Sequence, residues 1–450
     1  MLASVREAGT AATHQGVVGP RRPDLLAVIP AHDEQDAIGD TLLALDRQML
    51  RPGHVLVVAD NCTDETGTVA LRHGATVLQT VDNTDRKAGA LNQALSRLAG
   101  EGLEYVLVLD ADTRITPDFL EVAVAALDSD PTLGAVSGLF AGNPPDGVLQ
   151  QLQANEYARY TEQILATGRV AVVTGTASVF RTEALRDVAA QRGTTLPGQP
   201  GDVYDRSAIT EDSELTLALK SRGWRLTAPE RCVCYTELMP TWGDLHRQRV
   251  RWYKGMLDNL RSYGLSRLTA RYFGQQLMIA VGTVTLALLL VITVASVVSG
   301  TFSIRPLWLA VGGIFVVERL VSVWAVGRDG RILAAAVLPE IGYDLALQSA
   351  FVHALALAAT QRDTGWNHVT HASSGGADAG AHDPHPSPMT EKESTMYELN
   401  TTTAGTTLAL TGAGIAQGWI AAWTLFVAGL ALLTIGRITK RRHHGATAGE

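Results

Sequence analysis

Between Leu277 and Val298 the chain carries no charged residue. A helix needs about 20 apolar residues to cross a bilayer, and this run is long enough. Leu408–Gly436 is a second uncharged stretch. Two more apolar segments lie between them: Leu307–Gly327, interrupted by Glu318 and Arg319, and Ile332–Thr360, which carries Pro339, Glu340, Asp344 and His353. All four lie in the second part of a chain of 450 residues, 46% of them hydrophobic. Such a chain is expected to form at least two domains, one built for water and one for lipid.

The water-facing part reads differently. Residues 1–23 mix Arg, Glu, His and Gly without an apolar run, so they are expected to be a flexible lead rather than a signal peptide or anchor. The water-facing half is then expected to begin in the cytosol. From Asp24 to residue 238, short apolar runs alternate with helix-like stretches. Leu25–Pro30, His54–Asp60 and Glu104–Asp110 read as buried strands, and Ala37–Arg47, Glu65–His73 and Ala88–Leu98 as helices. This alternation predicts an α/β domain with a mostly parallel sheet and right-handed crossovers. Gly193–Asp205 is rich in Gly, Pro and Thr and is read as a flexible loop over the site. Residues 239–272 are basic and aromatic and are expected to form an amphipathic helix at a membrane surface. Residues 273–360 would hold three membrane helices, 361–407 a polar disordered linker, 408–436 a fourth helix and 437–450 a basic cytosolic tail.

A net charge of −8 gives no basic face for nucleic acid. The three cysteines, Cys62, Cys232 and Cys234, are too few for a disulfide framework and lack zinc spacing. Cys232 and Cys234 are read as packing residues.

Each strand stops in acidic residues. The first ends in Pro30-Ala31-His32-Asp33-Glu34, the second in Asp60-Asn61-Cys62-Thr63-Asp64, the third in Asp110-Ala111-Asp112. Ligands of an open parallel sheet bind beyond the carboxyl ends of its strands, so three strands deliver carboxylates to one rim. One such cluster is ordinarily a turn or cap; three in succession point to a site. Asp110 and Asp112 offer hard oxygen ligands suited to Mg²⁺ or Mn²⁺ bridging a diphosphate. Lys87 precedes a helix and reads either as half of an anion site or as a solvated lysine. Thr210-Glu211-Asp212 reads as a helix start with acidic first-turn residues, or as the source of a general base. Gln248-Arg249-Val250-Arg251-Trp252, alone, is a basic interfacial helix.

Together these motifs resemble the membrane-integrated branch of the family 2 glycosyltransferases, which includes cellulose, chitin, hyaluronan and poly-N-acetylglucosamine synthases. Asp60, Asp110-Ala111-Asp112, Thr210-Glu211-Asp212 and Gln248-x-x-Arg251-Trp252 follow in that family's order, over residues 24–260. Val173-Thr174-Gly175-Thr176-Ala177 resembles the segment that lines the acceptor site. The resemblance implies a GT-A fold and inverting transfer from a UDP-sugar to a glycan or lipid-linked acceptor at the plasma membrane. It places the nucleoside against Pro30, Ala31, His32, Glu34 and Asp60, with Lys87 and Asp110 near ribose and phosphates. It assigns the metal to Asp112 with Asp110, and the acceptor's proton to Asp212. Glu211, Gly175, Thr176, Gln248, Arg251 and Trp252 would flank the diphosphate and the acceptor sugar. Asp33 stands where the family often has Asn. No membrane segment precedes the catalytic part, unlike many synthases of this branch, which weakens the reading of a long-polymer secretor. A single addition to a lipid, as in ceramide glucosyltransferases, and an inactive sugar-nucleotide-binding subunit are the rival readings; a homo-oligomer or export partner is also open.

Positive charges set the expected topology. Arg261, Arg267 and Arg271 precede the first span, Arg328 and Arg331 follow the second, and Arg437, Lys440, Arg441 and Arg442 follow the last. Four spans keep all three groups in the cytosol. Trp366 and Thr370 resemble a cytosolic stretch of the family, which instead makes Ile332–Thr360 interfacial or re-entrant.

Overall fold

The structure is a computed structural model that describes residues 19–97, 102–303, 306–361 and 424–443. Most of the expected lead 1–23, nearly all of the linker 361–407, the first half of the segment 408–436 and the end of the tail 437–450 lie outside the described residues.

The strands are β1 (Arg21–Ala31), β2 (Arg51–Ala59), β3 (Thr76–Gln79), β4 (Tyr105–Leu109), β5 (Arg114–Ile115), β6 (Leu133–Ser137), β7 (Leu139–Gly142), β8 (Ala177–Arg181), β9 (Arg225–Thr227) and β10 (Val233–Thr236). Between them run α1 (Ile38–Asp46), α2 (Thr66–Arg72), α3 (Arg86–Arg97), α4 (Phe119–Ser129), α5 (Gly147–Thr167), α6 (Thr182–Gln191) and α7 (Glu211–Ser221). After them come α8 (Trp242–Tyr263), α9 (Ala270–Val298), α10 (Pro306–Ser322), α11 (Arg328–Ala335) and α12 (Val337–Thr360).

Seven strands form one sheet in the order β3-β2-β1-β4-β8-β6-β9. Its pairings are parallel except those of β8, which runs against β4 and β6. Strand side chains alternate between the faces. Leu25, Ala27 and Ile29 therefore enter the core beneath α1 and α4, while Leu26 and Val28 enter the one beneath α3, α6 and α7. Both faces are covered, which is why the strands read as unbroken apolar runs. The reversal of β8 matters for function: its first residue, Ala177, pairs with Leu109 at the carboxyl end of β4. The Asp110 N–H then donates to the Thr176 carbonyl at 2.8 Å, joining two motifs at one rim. A second sheet, β5-β10-β7, closes the side of that rim.

Two local expectations need correction. The 193–205 loop is anchored, not loose. Arg192, 1% exposed, holds Glu214 with both terminal nitrogens at 2.5 and 2.7 Å and also donates to the carbonyls of Pro197 and Val203. Asn92 accepts from the N–H groups of Val203 and Tyr204 and donates to the Tyr204 carbonyl. Buried donors and acceptors must be paired, and here one arginine and one asparagine supply the pairs.

The basic stretch is likewise not a purely surface helix. α8 ends at Gly264, whose φ of 64° stops it before α9 begins. Arg249 and Lys254 turn inward, 2% and 5% exposed, and pair with Glu156 at 2.7 Å and Asp258 at 2.6 Å.

α9 and α12 are long and apolar enough to cross a membrane. They differ in surroundings. α9 exposes Leu277, Val291, Val294 and Val298 along its length. α12 instead lies along α8 in the same direction: His353 stacks on His246, Phe351 meets Tyr253 edge-on at 5.3 Å, and Ala350 and Ala354 pack on Val250. The charges that interrupt the apolar segments pair with one another. Arg319 of α10 reaches Glu340 and Asp344 of α12, and Arg159 of α5 meets Glu340 at 3.2 Å. In the helix at 424–443, Arg441 and Arg442 both pair with Glu162 of α5.

Candidate active site

The rim is built from strand ends and one helix start. Beyond β1, the chain turns through Asp33 at φ 54°, a conformation that Asp tolerates better than most residues. Its carboxylate accepts from the N–H groups of Thr63 and Asp64, which hold it below the usual range. His32 Nδ1 lies 2.5 Å from the Asp60 carbonyl. Asp60 Oδ1 accepts from Thr80, Asn83 and Asn61, so this carboxylate is locked in place at the floor. Ala31, the last residue of β1, is buried, and Pro30 before it is half-buried.

Lys87 stands at the centre. Its Nζ lies 2.6 Å from Asp110 and 3.0 Å from Glu211, and it donates to the Gly175 carbonyl at 3.0 Å. It is therefore neither a solvated lysine nor an unpaired cation awaiting an anion. Burial opposes its charge, but the two carboxylates outweigh that and hold its pKa above the ordinary lysine value.

The carboxylates around it are crowded. Burial, resisted by Lys87, leaves Asp110 at about 6. Burial and then the charge of Glu237 push Asp112 up. Burial, with Asp112, Glu237 and Asp110 nearby, pushes Glu34 to about 8, and its Oε2 is buried without a partner. Glu237 was not singled out by sequence reasoning. β10 pairs with β5 through Cys234↔Ile115 and Tyr235↔Arg114. Glu237 follows β10 directly, and its charge bears on Asp112 and Glu34. Asp112 and Asp110 keep the hard oxygen donors that suit a divalent cation, while Glu34, with its orphaned oxygen, and Glu237 add negative charge around them. A cation there would reverse the mutual repulsion that raises them.

Asp212 occupies the first turn of α7 and accepts from the Ser213 N–H at 2.7 Å. Burial and the neighbouring Glu211 push it up to about 6. Gly175 lies against it: a Cβ there would come 3.2 Å from Asp212 Oδ2, so glycine leaves the carboxylate room. Thr176 and Thr174 share a hydroxyl contact at 2.7 Å, and Thr176 also touches Cys234, which is buried and packs as expected, as does Cys232. Lys87, Gly175, Tyr204, Glu211 and Asp212 line one pocket. Tyr204, placed there by the Asn92 clamp, is a second residue that sequence reasoning missed.

α8 crosses the start of α7, and Asn259 donates to Ser213 at 2.8 Å. Two turns earlier on α8, Arg251 carries a charge that bears on both Glu211 and Asp212. Trp252 stands at the outer edge, 37% exposed, with the Arg249 guanidinium 4.1 Å from its ring. Gln248 accepts from Arg249 at 3.1 Å.

Residues 22–255, which hold every group just described except Asn259, match the family described as glycosyltransferase like family 2. The chain belongs to that family. This glycosyltransferase-like chain is 27% identical over 236 residues to a poly-beta-1,6-N-acetyl-D-glucosamine synthase of Staphylococcus aureus, a match covering 51% of this chain and 53% of the relative. It is 26% identical over 251 residues to the synthase of the same name from Staphylococcus epidermidis, covering 54% and 55%. It thus spans about half the length of the curated relatives it matches. A mannosyltransferase from Pyrobaculum calidifontis, solved with GDP-Man and Mn²⁺, aligns at TM-score 0.50 and 20% identity over 78% of this chain and 92% of its own. That likeness shows the GT-A-like fold of this family 2 member.

Proposed function

We propose that this chain transfers a sugar from a UDP-sugar to an acceptor hydroxyl on a glycan or lipid at the cytosolic face of a membrane, inverting the anomeric centre. The observation that carries this reading is Asp212, given room by Gly175, lining one pocket with Lys87, whose Nζ pairs with Asp110. Asp212 takes the proton from the acceptor hydroxyl. The acceptor oxygen then bonds to the sugar's anomeric carbon as the bond from that carbon to the diphosphate breaks, and UDP departs with the electron pair. A divalent cation held by Asp112 and Asp110 would neutralise charge on the departing diphosphate, with Glu237 and Glu34 adding negative potential around it. Direct attack at one face, with one base, gives inversion. His32, Glu34 and Asp60 shape the nucleoside side, and Gln248, Arg251 and Trp252 the acceptor and diphosphate side.

α9 and α10 are the proposed membrane crossing, with α12 lying beside α8 at the cytosolic surface. Support comes from the packing of α12 along a helix that is itself fastened to the catalytic domain. The named relatives make UDP-N-acetylglucosamine the first donor to test, and a β-linked polysaccharide the proposed product. The decisive experiment offers the full chain in nanodiscs a panel of UDP-sugars and reads UDP release and product mass. Release with none of them, with Mg²⁺ or Mn²⁺ present, would refute the reading.

A further inference from the structure

The outer aromatic of the site is not free to choose its orientation. Trp252 carries the Arg249 guanidinium 4.1 Å from its ring centre. Arg249 is fixed from the other side: its Nη2 donates to Glu156 of α5 at 2.7 Å, and Tyr343 of α12 donates its hydroxyl to the same Glu156 oxygen. The Tyr157 ring also lies beneath that guanidinium, at 5.9 Å. Arg249 is 2% exposed, so the cation of the stack is desolvated, which strengthens a cation–π contact. The same guanidinium donates to Gln248 at 3.1 Å. One side chain thus sets two residues of the motif, and its own place depends on a helix from the membrane half of the chain.

We propose that Arg249 is a positioning residue for the acceptor: the chain Tyr343–Glu156–Arg249–Trp252 holds the Trp252 face where an acceptor sugar ring stacks, and couples it to the seating of α12. This rests on the transfer reading above. It assigns Arg249, Glu156 and Tyr343 no contact with donor or metal. A guanidinium stacks through its plane, which an ammonium lacks, so Arg249→Lys keeps the pairing with Glu156 and loses the stack. Tyr343→Phe removes only the hydroxyl that α12 contributes.

The test uses the full chain in nanodiscs with UDP-N-acetylglucosamine and a β-1,6-linked N-acetylglucosamine pentamer. Initial rates are taken with each substrate varied in turn, alongside pentamer binding by calorimetry with UDP present. Arg249→Lys and Tyr343→Phe are each expected to raise the acceptor KM and the pentamer Kd by roughly tenfold, the scale of one desolvated stacking contact. Donor KM and the slow release of UDP without acceptor should stay at wild-type values. Equal changes in both KM values, or no change in either variant, would overturn the positioning role. A wild type that neither turns over UDP-N-acetylglucosamine nor binds the pentamer overturns this proposal, whereas the transfer reading falls only if no UDP-sugar of the panel gives UDP release.

Discussion

Gly255 of α8 lies directly on Thr210, the residue before α7: a Cβ built on Gly255 would sit 2.3 Å from Thr210 Oγ1 and 2.5 Å from its Cγ2. Two motif-bearing helices therefore cross at their closest where one has no side chain. Gly255→Ala is expected to push α8 off α7. Overpacking costs about 1–3 kcal/mol, which would lower the melting temperature modestly. A displacement of about 1 Å near the reacting groups can cost roughly 10²-fold in rate. UDP release and a thermal melt together check this: a variant with wild-type kcat would show that the crossing does not set the geometry of the site.

The metal prediction concerns two carboxylates. Asp112→Asn should leave the fold intact and abolish turnover, and EDTA should do the same to the wild type, since an amide neutralises no charge. Glu237→Gln should weaken Mn²⁺ binding, read by electron paramagnetic resonance without donor present. Full activity in EDTA would contradict the metal reading, and unchanged Mn²⁺ affinity in Glu237→Gln would show that the Glu237 charge does not bear on the site.

Asp212→Asn should keep UDP binding while losing roughly 10²–10⁴-fold in transfer. Burial and Glu211 place the Asp212 pKa at about 6. The base works ionised, so kcat/KM should fall as pH drops through about 6. The stability effect runs the other way. A folded pKa raised above the unfolded value means that ionisation disfavours the fold, so stability contributed by the protonated form is lost as pH rises through about 6. Asp212→Asn should therefore melt no lower than the wild type at pH 8, and a marked drop there would make Asp212 a structural cap.

Topology is checked with single cysteines at Thr301, between α9 and α10, and at Gln361, just after α12, with Cys62, Cys232 and Cys234 replaced. Gln361, with its amide turned so that the oxygen accepts, meets Arg261 near the end of α8 at 2.7 Å. A membrane-impermeant maleimide on whole cells should label position 301 and spare 361 until the membrane is opened. Labelling of 361 in intact cells would make Ile332–Thr360 a full span, as four crossings require.

Local chemistry was legible in the chain alone. Apolar runs that end in acidic residues, as at Pro30, Asp60 and Asp110, reveal strands and the rim they reach, because burial and hydrogen bonding act over a few neighbouring residues. The uncharged run Leu277–Val298 reads the same way, as part of a helix, α9, long and apolar enough to cross a membrane. What only the tertiary structure decided were partnerships between distant segments. The charge of Glu237 bears on Asp112 because β10 is paired with β5, and no pattern around position 237 announces that. Arg249 and Lys254 look like any other bases of a surface helix until Glu156 and Asp258 are brought beside them, since a charge turns inward only where a partner offsets its desolvation. The 193–205 segment has the composition of a mobile loop, yet Arg192 and Asn92 pair its backbone groups. α12 has the hydropathy of a span, and its packing along α8 came from side-chain complementarity between remote helices, which no single stretch of sequence contains.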